Sequence, residues 1–528
     1  MSEMEWEDLS VDRALVNVYA AAVNGIEATK VTIEAQISPG TKFMLVGLPD
    51  AAVKESHQRI QAAIVESGFE YLQRRYIINM APADLRKEGA AYDLPLAVAL
   101  LTLSEKLPQD RLADTMIMGE LSLDGHIRPI HGLLPMTMTA KHEGFSTIIV
   151  PMANAKEASV VEGIRVLGAE TLADVMAYVK GDTSALQEVV YREDDELDPL
   201  IGYPDFREVK GQETVKRALE VAAAGMHNII MIGPPGSGKS MMAKRVPSIL
   251  PPFSKEEAQE TTMIHSVAGT LPTNIALMRE RPYRAPHHST SNVALVGGGS
   301  FPKPGEISLA HNGVLFLDEL PEFARSVLEV LRQPLEDRQI TVSRARQTVT
   351  FPASFMLVAS MNPCPCGHYN NPNKPCECTE QQVRNYLGRV SGPLLDRIDI
   401  QVEIVPVPFE ALSSKEVGES SAVMRERVLQ ARAMQRERFK GIKGIYTNAQ
   451  MTPALMEEFV HVDRACLERL KQAMDHFKLS ARAYDRILKV ARTIADLDAS
   501  SDITMKHIGE AVGYRKLDRS SWGSRTGI

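Results

Sequence analysis

The feature that most constrains this chain is a glycine-rich segment between an apolar run and a helix-forming run. Residues 228–232 form a mostly apolar run typical of a buried strand, and helix formers follow from about Met241. The intervening segment fits the pattern G-x-x-x-x-G-K-[ST] and consists of Gly233, Pro234, Pro235, Gly236, Ser237, Gly238, Lys239 and Ser240. In a strand–loop–helix context this pattern predicts a phosphate-binding loop, or P-loop.

The P-loop predicts roles for particular side chains. Its glycines allow backbone N–H groups to approach phosphate oxygens, and the amino terminus of the following helix adds positive potential. We expect Lys239 to reach the terminal phosphates of bound ATP and the Ser240 hydroxyl to hold Mg²⁺. The alternative is an ordinary glycine-rich turn, which the flanking strand and helix disfavour.

Two acidic residues complete the predicted nucleotide site. The apolar run Val314–Leu317 ends at Asp318 and Glu319. Because ligands bind at the carboxyl ends of strands in a parallel sheet, we expect Asp318 on the metal side and Glu319 to polarise the attacking water. A third strand, 355–359, is followed by Asn362, whose amide is suited to positioning that water. The alternative is that the two acids are only solvated residues at a strand end.

Composition bounds the class of protein. A chain of 528 residues predicts two or three domains. Lys and Arg number 59 against 67 Asp and Glu, a net charge of -8, so any contact with nucleic acid must be local. No apolar run approaches the roughly 18 residues of a membrane helix, and no basic leader precedes one, which predicts a cytoplasmic protein that does not enter a membrane.

Sequence patterns divide the chain into four segments. Residues 1–180 alternate short β-type runs with helical stretches, which indicates an α+β domain, and the acidic residues 181–205 form a predicted linker. Residues 206–410 have the strand, loop and helix pattern of a parallel α/β core. Residues 411–528 are rich in helix formers and predict a helical lid.

Four cysteines lie close together directly after Asn362. They form C-x-C, nine intervening residues and C-x-C, and are Cys364, Cys366, Cys376 and Cys378. Four thiolates suit a tetrahedral Zn²⁺ site, and a metal would order a loop rich in Pro and Asn. Zinc sites usually have C-x₂-C spacing, so reduced cysteines in a loop are the alternative interpretation. His368 is a reserve ligand.

Basic residues concentrate in two places. Residues 339–351 contain two β-type runs around a short polar turn, which predicts a β-hairpin with Arg344 and Arg346 at or near its tip. Two solvated turn arginines are the alternative. The second basic stretch, 425–443, is first a solvated helix face and second a candidate DNA contact.

Four further segments resemble those of the ComM/YifB family of magnesium-chelatase-like AAA+ proteins. They are 284–289 (RAPHHS), 305–311 (GEISLAH), 392–399 (GPLLDRID) and 479–486 (LSARAYDR). The resemblance covers nearly the whole chain. It implies an α/β AAA+ P-loop core with a parallel sheet and a helical lid, which hydrolyses ATP with Mg²⁺ and assembles into a ring, as a homohexamer.

The same resemblance implies roles for residues that spacing alone does not single out. It implies Asn362 as sensor 1, Arg397 as the arginine finger supplied by a neighbouring subunit, and Arg482 as sensor 2. Arg389 is close enough in sequence to be a rival to Arg397. In related ring ATPases a hairpin before sensor 1 enters the central channel and touches nucleic acid, which makes Arg344 and the neighbouring Arg346 candidate DNA contacts.

The first segment resembles a different family. Residues 16–179 resemble the proteolytic domain of Lon, which has a ribosomal S5 domain 2-like fold, in segments 85–92 and 119–132. Lon uses a Ser-Lys dyad. Ala91 stands at the position matching the serine, and residues 133–136 contain no lysine. We therefore expect an inactive Lon-like domain that serves assembly or substrate docking.

These features together predict a function. The leading hypothesis is an ATP-driven motor on single-stranded or branched DNA, a helicase that promotes branch migration during recombination or natural transformation, as the ComM/YifB resemblance implies. The alternatives are a magnesium-chelatase-type motor subunit, which the Lon-like domain and cysteine cluster disfavour, and an ATP-dependent protein unfoldase, which the missing dyad disfavours.

Overall fold

A computed structural model describes residues 15–192, 203–273, 275–299, 302–344, 347–369, 374–407, 418–442, 444–477 and 479–515. The described residues divide into two compact units. The first contains residues up to 196 together with 258–278, and the second contains 197–257 together with 279 onward. The chain therefore leaves the second unit after the P-loop, contributes 258–278 to the first, and returns.

The first unit is an α+β structure. Its strands are β1 (Leu15–Asn24), β2 (Glu27–Ser38), β3 (Phe43–Val46), β4 (Arg75–Ala81), β5 (Thr115–Ile117), β6 (Glu120–Leu121), β7 (Ile127–Arg128), β8 (Thr147–Pro151), β9 (Arg165–Ala169) and β10 (Gln187–Glu188). Its helices are α1 (Ala51–Glu66), α2 (Asp93–Ser104), α3 (Leu133–His142), α4 (Ala155–Ser159) and α5 (Leu172–Lys180).

Among the described residues of this unit, eight strands form one sheet in the order β10-β9-β8-β5-β1-β2-β4-β3. Burial alternates along β2, with Val31, Ile33 and Ala35 inside, as a strand with one covered face requires. Helix α2 is buried along almost its whole length, because it is apolar on every side. Helices α2 and α3 both pack on β1 and β2, so the core lies between this sheet and these helices.

The second unit carries the P-loop. Its strands are β11 (Ile229–Ile232), β12 (Tyr283–Arg284), β13 (Gly297–Gly298), β14 (Lys303–Pro304), β15 (Val314–Leu317), β16 (Gln339–Arg344), β17 (Gln347–Pro352), β18 (Met356–Met361) and β19 (Ile400–Glu403). Its helices are α6 (Glu213–Gly225), α7 (Lys239–Ala243), α8 (Val246–Ile249), α9 (Lys255–Ala268), α10 (Asn292–Val296), α11 (Glu306–Leu309), α12 (Arg325–Val330), α13 (Pro334–Asp337), α14 (Glu380–Leu387), α15 (Gly392–Leu395), α16 (Ser421–Arg438), α17 (Pro453–Phe459), α18 (Arg464–Phe477), α19 (Ala481–Leu497) and α20 (Met505–Gly513). Residues of α9 from Ala258 onward belong to the first unit.

Within the described residues, β12-β15-β18-β11-β19 form a five-stranded sheet in that order, and every neighbouring pair is parallel. Strands β11, β15 and β18 are buried at every position, which explains their continuous apolar sequences. The predicted strands at 228–232, Val314–Leu317 and 355–359 are therefore present. Helices α16 and α19 share the hydrophobic core of this sheet, through Val428, Ile487 and Ile494.

The predicted hairpin also forms. Strands β16 and β17 pair antiparallel from Gln339 opposite Pro352 to Arg344 opposite Gln347. Ile340 and Phe351 are buried on one face, and Thr341 and Thr350 bond to each other on the exposed face. Arg346 lies outside the described residues.

No helix in the described ranges is both long enough and apolar enough to cross a membrane.

The start of β15 gives a test of this packing. A Cβ on Gly313 would lie 2.2 Å from the carbonyl oxygen of Pro282 and 2.7 Å from its nitrogen, so Gly313→Ala must displace backbone. We expect a loss of about 1–3 kcal/mol in the free energy of unfolding of the second unit. Calorimetry measures this loss as a lower midpoint temperature for unfolding of the second unit. That transition is identified because added nucleotide raises its midpoint.

The matched control is Gly509→Ala in α20, where an added Cβ meets no atom within 4 Å. This change is expected to be neutral, or stabilising by up to about 1 kcal/mol, because alanine favours a helix. Equal midpoints for the two variants would contradict the packing described at Gly313.

Candidate nucleotide and metal sites

The P-loop has an open, glycine-dependent backbone. It follows β11, and α7 begins at Lys239. Gly236 and Gly238 have φ of 75° and 90°, a region that favours glycine. A Cβ on Gly236 would meet no atom within 4 Å, so the loop leaves free space beside its backbone. The residues present therefore fit a phosphate group, as the sequence motif predicts.

Lys239 is buried and is held by neutral oxygen acceptors. Its Nζ donates to the carbonyl oxygens of Gly233 and Pro234 at 2.8 and 2.9 Å and to Asn362 Oδ1 at 3.2 Å. Burial lowers the pKa of Lys239, and the nearby Asp318 carboxylate opposes that effect. Because a charged phosphate oxygen is a stronger acceptor than a carbonyl, the ammonium group is prepared to exchange these partners for a phosphate.

Asp318 is fixed in place by neighbouring donors. Its Oδ2 accepts from Ser240 Oγ at 2.6 Å, and its Oδ1 accepts from Ser360 Oγ and, at 3.0 Å, from the backbone N–H of Glu319. The Ser240 hydroxyl and the Asp318 carboxylate are oxygen ligands of the kind Mg²⁺ prefers, so these residues would hold that ion. Sequence analysis missed Ser360, although a polar residue near the end of an apolar strand was an available signal.

Glu319 has an unusual backbone and an accessible carboxylate. Its φ of 52° and ψ of 49° lie in the left-handed region, which is uncommon for residues other than glycine and often marks functional sites. Its side chain is 56% exposed, and Oε2 lies 3.7 Å from His288 Nδ1. Sequence analysis did not give His288 a role, although it lies in the RAPHHS segment. The geometry allows Glu319 to reach a water molecule beside Asp318.

A second group of predicted site residues lies elsewhere in the same unit. Arg397 is buried, and donates from Nη1 to the Pro393 carbonyl at 2.8 Å and from Nε to Glu336 Oε2 at 3.1 Å. Arg482 is exposed at the start of α19 and lines, with Glu336, a cavity of about 350 Å³. The hydrogen bond from Arg397 lowers the pKa of Glu336, and the charge of Arg482 adds to this effect.

The structure therefore separates the predicted site residues. Lys239, Asp318, Glu319 and Asn362 gather at the carboxyl ends of the parallel strands. No hydrogen bond or ion pair recorded for the described residues joins Arg397 or its neighbour Arg482 to the P-loop.

Arg389, the rival for the arginine finger, lies in a third position. Its Nη1 donates to Glu322 Oε2 at 3.0 Å and contacts the Pro321 carbonyl at 3.4 Å. Both partners follow Glu319 closely in the chain, so Arg389 is on the side of its own nucleotide site.

The family segments quoted above also form structural links. Arg284 donates from Nε and Nη2 to the two carboxylate oxygens of Glu306, both at 2.7 Å, and so joins segment 284–289 to segment 305–311. Asp399 pairs with Arg486, which joins segment 392–399 to segment 479–486. Opposite charges beside a buried carboxylate hold the pKa of Asp399 well below its usual range.

The basic stretch 425–443 differs from the predicted solvated face. Arg427 pairs with Glu220 and Glu419, and Arg438 pairs with Asp496. Arg432 is only 8% exposed. Much of this charge is therefore neutralised within the unit and does not form a free basic face; Lys443 lies outside the described residues.

The four clustered cysteines come together in space. Sγ of Cys364 lies 3.3 Å from that of Cys366 and 3.7 Å from that of Cys376, and Cys366 and Cys376 are 3.6 Å apart. Including Cys378, all four sulfur atoms lie within 4.8 Å of one another, and none is in a disulfide. Tetrahedral zinc with Zn–S bonds of about 2.3 Å requires sulfur separations of about 3.8 Å. The cluster therefore fits a four-thiolate metal site.

The ionisation of these thiols supports the same conclusion. Burial raises the pKa of Cys376 to about 12. Burial also acts on Cys366, but backbone N–H groups of His368 and Glu377 outweigh it and lower the pKa of Cys366 to about 6. Cys376 would therefore become a thiolate ligand when a cation replaces its proton.

Neither Ala91 nor the pair Ser56 and His57 provides a hydrolytic dyad in the first unit. Ala91 lies in a short 3₁₀ helix, Ala90–Tyr92, and has no nucleophilic atom. Ser56 donates to the Val53 carbonyl, and His57 bonds to the Tyr71 hydroxyl, so Ser56 and His57 do not pair with each other.

A P-loop after an interior parallel strand, with an amide at the end of the adjacent strand and an acidic pair at the end of the next, defines a P-loop ATPase core. Residues 33–154 match the family described as subunit ChlI of Mg-chelatase, 205–412 match magnesium chelatase, subunit ChlI, and 418–515 match its C-terminal region.

Full-length relatives make the assignment more specific. The chain is 45% identical to the YifB protein of Escherichia coli (strain K12) over 506 residues, 95% of this chain and 97% of that protein. It is 43% identical to competence protein ComM of Haemophilus influenzae over 509 residues, 96% and 98% of the two chains. The chain belongs to the ComM/YifB family of magnesium-chelatase-like AAA+ ATPases, for which ATP and Mg²⁺ are the implied substrate and cofactor.

The similarity to Lon proteases covers a smaller part of the chain than the similarity to YifB and ComM. The chain is 30% identical to the peroxisomal Lon protease homolog 2 of Caenorhabditis elegans over 169 residues, which is 30% of this chain and 22% of that protein. The amino-terminal part is therefore Lon-like, as the sequence predicts.

Ser360 offers a test of how Asp318 is positioned. Ser360→Ala removes a donor to Asp318 without touching the P-loop. We expect the Mg²⁺ concentration for half-maximal ATP hydrolysis to rise about tenfold, because groups that orient a metal ligand affect metal affinity by 10- to 100-fold. The maximal rate at saturating Mg²⁺ should change much less.

Ser308→Ala is the matched control, because this serine is also buried in the second unit and its hydroxyl has no hydrogen-bond partner among the described residues. It should leave the Mg²⁺ dependence unchanged. An unchanged Mg²⁺ dependence in Ser360→Ala would show that Ser360 does not position the metal ligand.

Proposed function

We propose that this chain is the protomer of an ATP-driven ring motor, a homohexamer that acts on single-stranded or branched DNA and promotes branch migration in recombination or natural transformation. The observation that supports a ring of protomers is that the predicted catalytic residues lie in two separate groups within one chain. A site divided in this way is completed when one protomer supplies its arginines to the nucleotide of the next.

Each residue near the P-loop has a defined task. Lys239 binds the terminal phosphates, Ser240 and Asp318 hold Mg²⁺, and Asn362 fixes the position of the attacking water. Glu319 accepts the proton of that water, because its carboxylate is exposed and its charge, like that of Asp318, acts on Lys239. Bound Mg²⁺ neutralises charge on the phosphate oxygens.

Arg397 is better placed than Arg389 to act on a neighbouring protomer. Arg389 is paired with Glu322, close to its own Glu319. Arg397 instead pairs with Glu336 beside Arg482, away from its own P-loop. The 53% exposed carboxylate of Glu336 can release Arg397 when a neighbour's phosphate competes for it.

Mixing experiments test the divided site. Arg397→Ala and Lys239→Ala proteins should each be inactive, because each lacks one half of every site. An equal, random mixture should recover up to about a quarter of the wild-type ATPase rate, since a quarter of the interfaces pair an intact P-loop with an intact finger.

The control mixes Lys239→Ala protein with the Lys239→Ala/Arg397→Ala double variant, and should show no recovery. No recovery in the first mixture, with mixed rings demonstrated by mass spectrometry, would contradict an arginine supplied across the interface.

The DNA substrate is supported by a relative and by the hairpin. The similar Haemophilus influenzae protein is named a competence protein, which favours a role in natural transformation. Arg344 is exposed at the end of β16, at the hairpin tip, on the same strand face as the buried Ile340 and Val342, which anchor the hairpin. The hairpin leads directly into β18, whose end carries Asn362. A change at the nucleotide therefore has a short path to Arg344.

A hairpin variant tests the DNA contact. Arg344→Ala/Arg346→Ala should keep basal ATP hydrolysis but weaken DNA binding similarly across sequences. The slope of log affinity against log salt should fall by about 2 if both arginines contact phosphates. Fluorescence anisotropy at several salt concentrations measures both effects, and a branched-DNA assay measures strand movement.

Arg464→Ala/Arg469→Ala in α18 is the matched control, because it removes the same charge from exposed positions. It should leave affinity, salt slope and branch migration unchanged. If the hairpin variant behaves like this control, Arg344 and Arg346 are not the DNA contact.

The second candidate function is a chelatase-type motor subunit. The matches to subunit ChlI favour it. The similarity to competence protein ComM over nearly the full length disfavours it, while the first unit, which itself matches subunit ChlI, does not decide between the two candidates. Stimulation of ATP hydrolysis by a chelatase partner, and not by DNA, would favour this candidate over the DNA motor.

The cysteine cluster completes the proposal. Zn²⁺ is the metal that four thiolates in tetrahedral arrangement select most often, and its role in such closed sites is structural. Cys364, Cys366, Cys376 and Cys378 would each supply one sulfur ligand.

A further inference from the structure

The cysteine loop, residues 363–378, contacts the P-loop at Gly367. Gly367 stands between Cys366 and His368 with φ of 78°. A Cβ on Gly367 would lie 2.4 Å from Cδ and 2.8 Å from Cγ of Pro235. The backbone of the cysteine loop therefore packs directly on the proline ring in the middle of the P-loop, with no room for a side chain between them.

The same loop continues the strand that ends beside Lys239. Asn362 Oδ1 accepts from Lys239 Nζ at 3.2 Å, and the first cysteine, Cys364, follows two residues later and is fully buried. The Cys364 carbonyl accepts from the Gly367 N–H at 3.0 Å, and this turn brings Gly367 back toward Pro235. The ligands Cys364 and Cys366 thus lie between the two connections to the nucleotide site, at Asn362 and at Gly367.

Burial holds only the first part of this loop, where Pro363, Cys364 and Gly367 are buried, whereas residues 374–378 are exposed or only partly buried. Between the end of β18 at Met361 and the start of α14 at Glu380, the described residues form no helix or strand. The later cysteines, Cys376 and Cys378, are only partly buried. A bond from each sulfur to one ion would join the buried and the exposed parts of the loop, because metal binding supplies ordering free energy that burial does not supply at residues 374–378.

We propose that a metal ion held by Cys364, Cys366, Cys376 and Cys378 keeps the P-loop and Asn362 in their nucleotide-binding arrangement, so that loss of the metal weakens ATP binding. This inference rests on the proposed zinc site. In this proposal the cysteine cluster positions the nucleotide site, in addition to ordering its own loop.

Metal removal tests the coupling in the full-length protein. Zinc content is measured by plasma mass spectrometry, and the metal is removed with an organomercurial and a chelator, then restored with ZnCl₂ after thiol is added. Affinity for a fluorescent ATP analogue, read without hydrolysis, should fall about tenfold on removal, as for other groups that orient a binding site, and return with zinc.

Variants separate metal binding from contact with the P-loop. Cys376→Ser should lose both zinc and nucleotide affinity. Gly367→Ala should retain zinc but lose affinity, because its Cβ displaces the Pro235 ring. Gly441→Ala is the matched control, since Gly441 has a similar φ of 84° and an added Cβ there meets no atom within 4 Å. It should retain both zinc and affinity.

The outcomes distinguish the proposals. Protein without zinc, prepared without chelators, would overturn both the metal site and the coupling. Zinc present, with unchanged affinity after its removal and in Gly367→Ala, would overturn the coupling alone. Failure of the wild-type protein to bind the ATP analogue would overturn the proposed ATPase site instead. If Cys376→Ser does not fold, reversible metal removal and Gly367→Ala still decide the question.

Discussion

The parallel pairing of β11, β18 and β15 is the constraint on which the nucleotide site depends. Ile232 pairs with Met361, so the P-loop and Asn362 leave the sheet side by side, and the Lys239 contact with Asn362 follows. Leu317 pairs with Ala359, so Asp318 leaves the sheet opposite Ser360, to which it is hydrogen-bonded. The catalytic geometry is therefore a consequence of strand register, and the loops add only the final placement.

Sequence patterns predicted much of this core, because buried parallel strands need continuous apolar runs and P-loops need glycines at fixed positions. The runs 228–232 and 355–359 correspond to β11 and β18, and the hairpin at 339–351 corresponds to β16 and β17. The assignment of residues 258–278 to the first unit was not predictable, because it depends on packing between residues far apart in the sequence.

Within the site, too, the features that could not be predicted depend on contacts between residues far apart in the sequence. Motifs predict Asp318 as a metal ligand, but Ser360 becomes its hydrogen-bond partner only through pairing across strands. Family resemblance predicts roles for Arg397 and Arg482. The segments that contain them, 392–399 and 479–486, do not predict that both arginines lie near Glu336 and away from Lys239. Arginines at 427 and 438 look like a solvated basic face in the sequence, because their acidic partners come from other helices or from outside the local pattern.

Strand β18 links every proposed element of the motor. The hairpin that bears Arg344 precedes it, Asn362 follows it, and the cysteine loop continues from its carboxyl end. All six residues of β18 are buried, and β15 and β11 pair with it on either side. Close-packed interiors transmit displacement instead of absorbing it, and a six-residue strand spans about 20 Å. In the proposed motor, a movement of Asn362 on loss of the terminal phosphate is carried to the hairpin along this stiff element, whose carboxyl end adjoins the cysteine loop.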